Sequence, residues 1–152
     1  SIQSATVMVQ AEVADRLAAP PGSRTYGVPS AKVSWYGEAA RGAKISRNVF
    51  WPIPNVDSAL VNFRRHGALS QPQADVAGFA LAGVSREDVF AVVDAAFAQR
   101  RKTLRAALAS SAGSAARAED LLVVAGIDPK ARGEQLSVSE FAAIARAANT
   151  FA

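Results

Sequence analysis

The segment Val49-Phe50-Trp51-Pro52-Ile53-Pro54-Asn55-Val56-Asp57-Ser58 is suited to holding a planar ligand. Its two prolines, one residue apart, forbid a helix and keep the backbone extended, with an aromatic pair ahead of a strand. A rigid loop of this kind presents a ring outward; turned inward, Phe50 and Trp51 would instead plug the end of a sheet. On the residues alone both readings are open. A second place is Arg100-Arg101-Lys102 with Arg105, where cations concentrate while the acids of the chain are scattered singly or in pairs; Arg64-Arg65 is a smaller cluster. The larger cluster suits a phosphate contact or, equally, a solvated helix face. Little else is reactive. His66 is the only histidine and there is no cysteine, so a metal site is not expected, and His66 is assigned an incidental surface role. Ser58 and Asp57 form no triad with it, and Asp57 is expected to cap or turn the chain before the following strand.

The whole chain sets the bounds. It has 152 residues, half of them apolar and a fifth charged, which is enough for one ordinary domain or two small ones and excludes disorder. The formal charge of +4 and pI near 10.0 favour an anionic partner without naming one. Apolar residues come in short runs, far from the roughly 18 in succession that a membrane span needs. The start, Ser1-Ile2-Gln3-Ser4-Ala5, does not resemble a secretory leader, so the cytoplasm is the expected compartment.

The elements that must position these groups divide near residue 66. Before it, Ala5-Thr6-Val7-Met8-Val9-Gln10 reads as a buried strand, and Glu12 to Leu17 as a helix ended by Pro20-Pro21-Gly22. Ala31-Lys32-Val33-Ser34-Trp35-Tyr36, Ala43-Lys44-Ile45 and Ser58 to Phe63 read as further strands. This order resembles the end of an open α/β sheet, one edge and one face of which stay uncovered. Residues 67–83 form a Gly, Pro, Ser and Gln-containing connection. Beyond it, Ser85-Arg86-Glu87-Asp88 starts a helix with apolar positions at Phe90, Val93 and Phe97, which Leu104 and Leu108 would continue. Arg101 would then fall inside the apolar stripe, so either the helix breaks near Gln99-Arg100 or Arg101 lies at the stripe's exposed edge with a partner. A break would set Arg100, Arg101 and Lys102 at the start of a second helix. Residues 115–124 form a helix ended by Gly126, Asp128-Pro129 opens a short helix or turn, and Ser137-Val138-Ser139-Glu140 is a capping box ahead of Phe141, Ile144, Ala145 and Ala148. A small helical bundle results.

Phe-x-Pro-x-Pro-x-Val-Asp-Ser, present as Phe50, Pro52, Pro54, Val56, Asp57 and Ser58, resembles a motif near the end of the catalytic domain of ribosomal RNA adenine dimethyltransferases. Three further stretches agree in order and approximate spacing: Val7-Met8-Val9-Gln10-Ala11-Glu12-Val13 with Arg16-Leu17, Tyr26-Gly27-Val28-Pro29-Ser30, and Ala96-Phe97-Ala98-Gln99-Arg100-Arg101-Lys102-Thr103-Leu104-Arg105. The last is the most diagnostic and points to the housekeeping small-subunit branch rather than the related erythromycin-resistance enzymes. Arg132-Gly133-Glu134-Gln135-Leu136-Ser137 with Phe141 fits the same family's end. Departures are small: Ala106 stands where Asn is usual, and Trp51 is bulkier than the usual residue before the first proline. The family's Glu-x-Gly-x-Gly-x-Gly donor loop and its Asn-Leu-Pro-Tyr motif are expected ahead of Ser1 and do not occur in the chain.

The resemblance implies an α/β remnant of a Rossmann-like methyltransferase sheet over residues 1–66, followed by a small all-α, ribosomal RNA-binding domain over residues 67–152. It implies an intact enzyme that dimethylates the N6 position of adenine in 16S ribosomal RNA with S-adenosylmethionine, which this chain alone is not expected to bind or use. Phe50 would stack on the flipped target base, and Pro52 and Pro54 would shape its loop. Arg100, Arg101, Lys102, Arg105 and Arg132 would grip RNA phosphates. The partner is small-subunit ribosomal RNA or the 30S precursor, with no membrane, and the truncated sheet is expected to self-associate. The other function class is a non-catalytic RNA-binding module or fragment, from which the sequence upstream of Ser1 would distinguish the enzyme.

Overall fold

The computed structural model describes residues 2–67 and 83–151. The expected connection over residues 67–83 lies outside the described residues except for its two ends. Three strands, β1 (Ser4–Gln10), β2 (Gly37–Ile45) and β3 (Ser58–Arg65), form one sheet in the order β1-β3-β2, with β3 antiparallel to both neighbours. Val7 faces Val61 across one ladder and Ala39 faces Phe63 across the other, which slips its register between Arg41 and Lys44. Helix α1 (Ala11–Leu17) follows β1 without a turn and covers one face, burying Ala14 against Ala59 and Val61.

Two expectations about this half need correction. The segment 31–36 is not a strand but most of helix α2 (Val28–Tyr36). The start signal is local: Gly27 is extended at the cap, Pro29 lies in the first turn, where it gives up no helical bond, and Ser30 Oγ accepts from Gly27 N at 3.1 Å. Packing then overrides the strand preference of Val33, Trp35 and Tyr36, because helical spacing buries Ala31 and sets Trp35 and Tyr36 edge-on to Phe90. Strand β1 is not buried either. Val7 and Met8 are 45% and 51% exposed, since β1 has a partner on one edge only and the described residues cover a single face of it.

The helical half matches its punctuation. Ser85 Oγ accepts from Asp88 N at the start of α3 (Arg86–Ala98). The break near Gln99 is real: α3 stops at Ala98, Gln99 leaves helical geometry, and Lys102 N donates to Gln99 O at 2.8 Å in a tight turn. This turn takes Arg101 out of the apolar stripe. Short helices α4 (Leu104–Ala107) and α5 (Ala109–Ala112) follow, then α6 (Ala115–Val124), after which Gly126 takes the left-handed conformation at φ +74°. Asp128 Oδ1 accepts from Lys130 N, so Asp128-Pro129 is a turn and not a helix. Ser137 and Glu140 exchange the two bonds of a capping box before α7 (Val138–Phe151).

The main core lies among α2, α3, α6 and α7, with Val93, Leu104, Leu122, Phe141 and Ile144 at its centre. It also draws in Tyr26 and Ala31 from ahead of residue 67, so α2 is bound to the helical half by packing. Tyr26 is 1% exposed and donates its hydroxyl proton to Leu136 O at 2.6 Å. Burial, with a smaller push from the charge of Glu140, raises this phenol to about 12. The folded state therefore holds the proton more tightly than the unfolded chain, and the stability this confers is complete below pH 10 and is lost as pH rises towards 12. Tyr26→Phe is expected to lower stability at pH 8 by about 1–3 kcal/mol, through the unpaired Leu136 carbonyl, and to flatten the alkaline limb; urea titrations at pH 8 to 11 check both.

Candidate functional site

The β2–β3 connection is built around Asp57. Its Oδ1 accepts from Arg47 N at 3.1 Å and its Oδ2 lies 2.9 Å from Lys44 Nζ, while its backbone oxygen accepts from Ala11 N at 2.9 Å. The Arg47 N–H first, then the Lys44 ammonium, hold the Asp57 carboxyl below the usual carboxylate range. Asp57 does turn the chain, and it also ties the loop to the start of α1. A single 3-10 turn, Arg47–Val49, is capped by Ser46, and Arg47 Nη1 donates to Asn55 O at 3.0 Å, closing the loop across its base. Between them, Phe50 is partly buried and extended, the Trp51–Pro52 peptide is cis, and Trp51 is 93% exposed. Trp51 does not plug the sheet. Pro52 is exposed and Pro54 half-buried.

The cations of the second cluster differ in their surroundings. All five, Arg100, Arg101, Lys102, Arg105 and Arg132, are exposed, and two of them have side-chain partners. Arg100 donates from Nη2 to the carbonyls of Tyr26 at 3.0 Å and Arg24 at 3.2 Å, with Glu134 Oε2 3.8 Å from its Nε. Arg105 Nε pairs with Glu119 Oε2 at 2.6 Å. Arg132 joins the others because Leu104 N donates to Ala131 O and Arg105 N to Pro129 O, laying the segment before Arg132 against the start of α4. Gly133 allows this approach, since a Cβ there would come 3.0 Å from that of Ala96.

Sequence reasoning missed Arg24 and Lys130. Gly22 N donates to Glu134 O at 2.7 Å, which brings the loop carrying Arg24 beside Arg100. Arg16, Arg24, Tyr26 and Arg100 line a cavity of about 390 Å³ together with Glu12. No linear signal marks Arg24, a lone cation in a Gly-Ser-Arg loop; Lys130 is an exposed cation two residues before Arg132. The two regions communicate through α1. Its first residue, Ala11, bonds Asp57 at the base of the aromatic loop, and Glu12 and Arg16 line the cavity.

His66 is placed by structure: its Nε2 lies 2.8 Å from Ser34 O and its N–H donates to Tyr36 O, holding the end of α2 to the end of β3. Among the described residues no three or more His, Cys, Asp or Glu side chains gather as a metal site, and no helix is long and apolar enough to cross a membrane.

Comparison with known proteins gives three findings. The sequence profile of the family described as ribosomal RNA adenine dimethylase matches residues 1–150. Two curated relatives named Ribosomal RNA small subunit methyltransferase A, from Streptomyces avermitilis and Thermobifida fusca, are 62% and 60% identical to the chain over 145 residues, covering 95% of it. The chain spans about half the length of these relatives, 46% and 47%. Among solved structures, a dimethyladenosine transferase from Plasmodium falciparum superimposes with a TM-score of 0.69 at 18% identity, covering 94% of this chain and 56% of that one. A 23S rRNA methyltransferase, ErmE, does so with 0.60 at 21% identity, covering 97% and 55%. These two likenesses concern the fold.

Proposed function

The chain belongs to the ribosomal RNA adenine dimethylase family, and from that premise we propose that it forms the target-base wall and the RNA grip of an S-adenosylmethionine-dependent adenine N6,N6-dimethyltransferase acting on small-subunit ribosomal RNA in the cytoplasm. The observation that carries this reading is the loop at Phe50: two prolines and the Asp57 clasp hold an aromatic ring between β2 and β3, and the clasp bonds the helix whose Glu12 and Arg16 line a basic cavity. Base modification requires a nucleotide out of its stack. Extrusion costs a few kcal/mol, and one aromatic face returns about 1–3, so Phe50 favours the extruded base. Pro52 and Pro54 keep the ring from collapsing inward. Arg101, Lys102 and Arg132 serve phosphates directly, since they are exposed. Arg100 and Arg105, drawn partly into carbonyl and carboxylate contacts, hold the surrounding backbone and offer their remaining N–H groups to RNA.

S-adenosylmethionine, the methyl donor of this chemistry, does not fit the described residues. β1 passes into α1 at Gln10–Ala11 with no glycine turn between them, so nothing here cradles it, and the roles above concern the base and the RNA alone. The division into a Rossmann-like remnant over residues 1–66 and a helical RNA-binding domain over 67–152 belongs to the same proposal. The exposed Val7, Met8 and Val13 support contact of the β1 side with further protein, a second copy included.

The test uses a protein of full family length carrying these residues, with under-methylated small-subunit RNA and labelled donor. Transfer that yields N6,N6-dimethyladenine supports the reading, and labelling of another base or of no RNA overturns it. Arg101→Ala with Lys102→Ala is expected to weaken RNA binding across sequences and to lower the slope of log affinity against log salt by about 1.4 to 1.8, as two lost phosphate contacts require. Filter binding at several salt concentrations measures that slope, and an unchanged slope would remove both residues from the interface.

A further inference from the structure

Trp51 stands apart in the chain. Its indole is 93% exposed, the most exposed large apolar side chain among the described residues, whereas the other tryptophan, Trp35, packs edge-on to Phe90. Indole left in water gains nothing for the fold, and the residue is held there by Pro52 after it and by the clasped loop around it. Of the cations between Ala39 and Val56, Arg41 pairs with Asp15 at 2.7 Å and Lys44 with Asp57 at 2.9 Å, while Arg47, four residues before Trp51, donates to a carbonyl and keeps its charge uncompensated by an ion pair among the described residues, which favours an anionic partner over an acidic protein surface.

We propose that Trp51 is a second stacking position, which takes an unpaired RNA base next to the one received by Phe50. The inference rests on the reading of Phe50 given above and adds a nucleotide to it. Phe50 is extended, with φ −105° and ψ 150°, so successive side chains leave the backbone on opposite sides. Trp51 therefore cannot close the same pocket as Phe50, and the base that it takes is a different one. Stacking on an aromatic plane needs no particular base edge, so this position adds affinity for single-stranded RNA beside the target and holds the strand open there, without reading sequence.

The emission of Trp51 is read as the difference between the protein of full family length and its Trp51→Phe variant. In that difference, emission characteristic of a water-exposed indole is expected, quenched on addition of a single-stranded oligoadenylate decamer. Trp51→Ala is expected to lower affinity for the same decamer about tenfold, with the salt slope unchanged because no phosphate contact is lost, and Trp51→Phe to recover most of the affinity. Emission already blue-shifted and indifferent to the decamer would show the ring covered by protein and overturn the proposal, as would unchanged affinity in Trp51→Ala. Phe50→Ala keeps the two readings apart. If it abolishes methyl transfer while Trp51→Ala binds RNA normally, the second stacking position alone falls; if it leaves methyl transfer intact, the reading of Phe50 falls as well.

Discussion

Phe50→Ala is expected to lower kcat/KM for adenine methylation by about 10- to 100-fold, because the ring contributes about 1–3 kcal/mol to holding the extruded base and alanine offers it no face. The loss should fall on kcat more than on RNA affinity. With the phosphate grip proposed for the α3–α4 turn and Arg132 left intact, RNA is expected still to bind, but the base to spend less time out of its stack. Phe50→Tyr keeps a π-face and should retain most activity, whereas Phe50→Leu keeps bulk without one and should not. The ring is only partly buried, so the melting temperature should move by about 2 °C at most. Steady-state methylation of under-methylated small-subunit RNA, with thermal melts of each variant, separates these effects. Equal turnover for Phe50→Ala and the parent would remove Phe50 from the base pocket.

The largest expected loss of stability belongs to Phe141→Ala. This ring is fully buried, and it meets Phe97 at 6.1 Å, which in turn meets Tyr26 at 6.0 Å. Removing it takes apolar area from the core and leaves a cavity that α3 and α7 cannot close, at a cost of about 3–5 kcal/mol. For a chain of this size that lowers the melting temperature by about 10 °C. The damage should reach RNA binding. Tyr26, next but one in the aromatic chain, supplies a carbonyl that holds Arg100, so loosening the core frees the loop over residues 22–26 and the arginine together. Phe141→Leu keeps an apolar filling and should lose less on both counts. Calorimetry and filter binding on the two variants check the pair. Normal RNA affinity in a folded Phe141→Ala protein would show that the basic surface is independent of the core.

The parts of this fold legible in the sequence are those set within a few residues. Ser85 and the Ser137–Glu140 pair mark helix starts because a side-chain oxygen three residues before an orphan N–H can reach no other partner so easily. Gly126 marks an end because it takes a left-handed conformation that a side chain would oppose. The break after Ala98 was one of the two arrangements that electrostatics left open, since Arg101 could not stay in an apolar stripe without a partner, and the structure takes it. The aromatic loop was legible for the same kind of reason, since prolines at positions 52 and 54 restrict the backbone whatever surrounds them.

Other properties had no local cause. Residues 31–36 have strand-forming side chains and become a helix, because Ala31, Trp35 and Tyr36 gain more from α3 and Phe90 than from a ladder. Whether Trp51 faces inward or outward depended on the loop's closure by Asp57, Lys44 and Asn55. The pairing within the basic run was decided in the same way: all four cations are exposed, but Arg100 and Arg105 find acceptors from residues 24, 26 and 119. Arg24 joined them through one backbone bond between Gly22 and Glu134, 112 residues apart. Residue types and short spacings thus determined which groups could stack on a base or attract phosphate, because capping, proline restriction and charge act over a few residues. Which of those groups face the solvent together was settled by long-range packing and hydrogen bonds, whose partners are distant in the chain and leave no trace in local spacing.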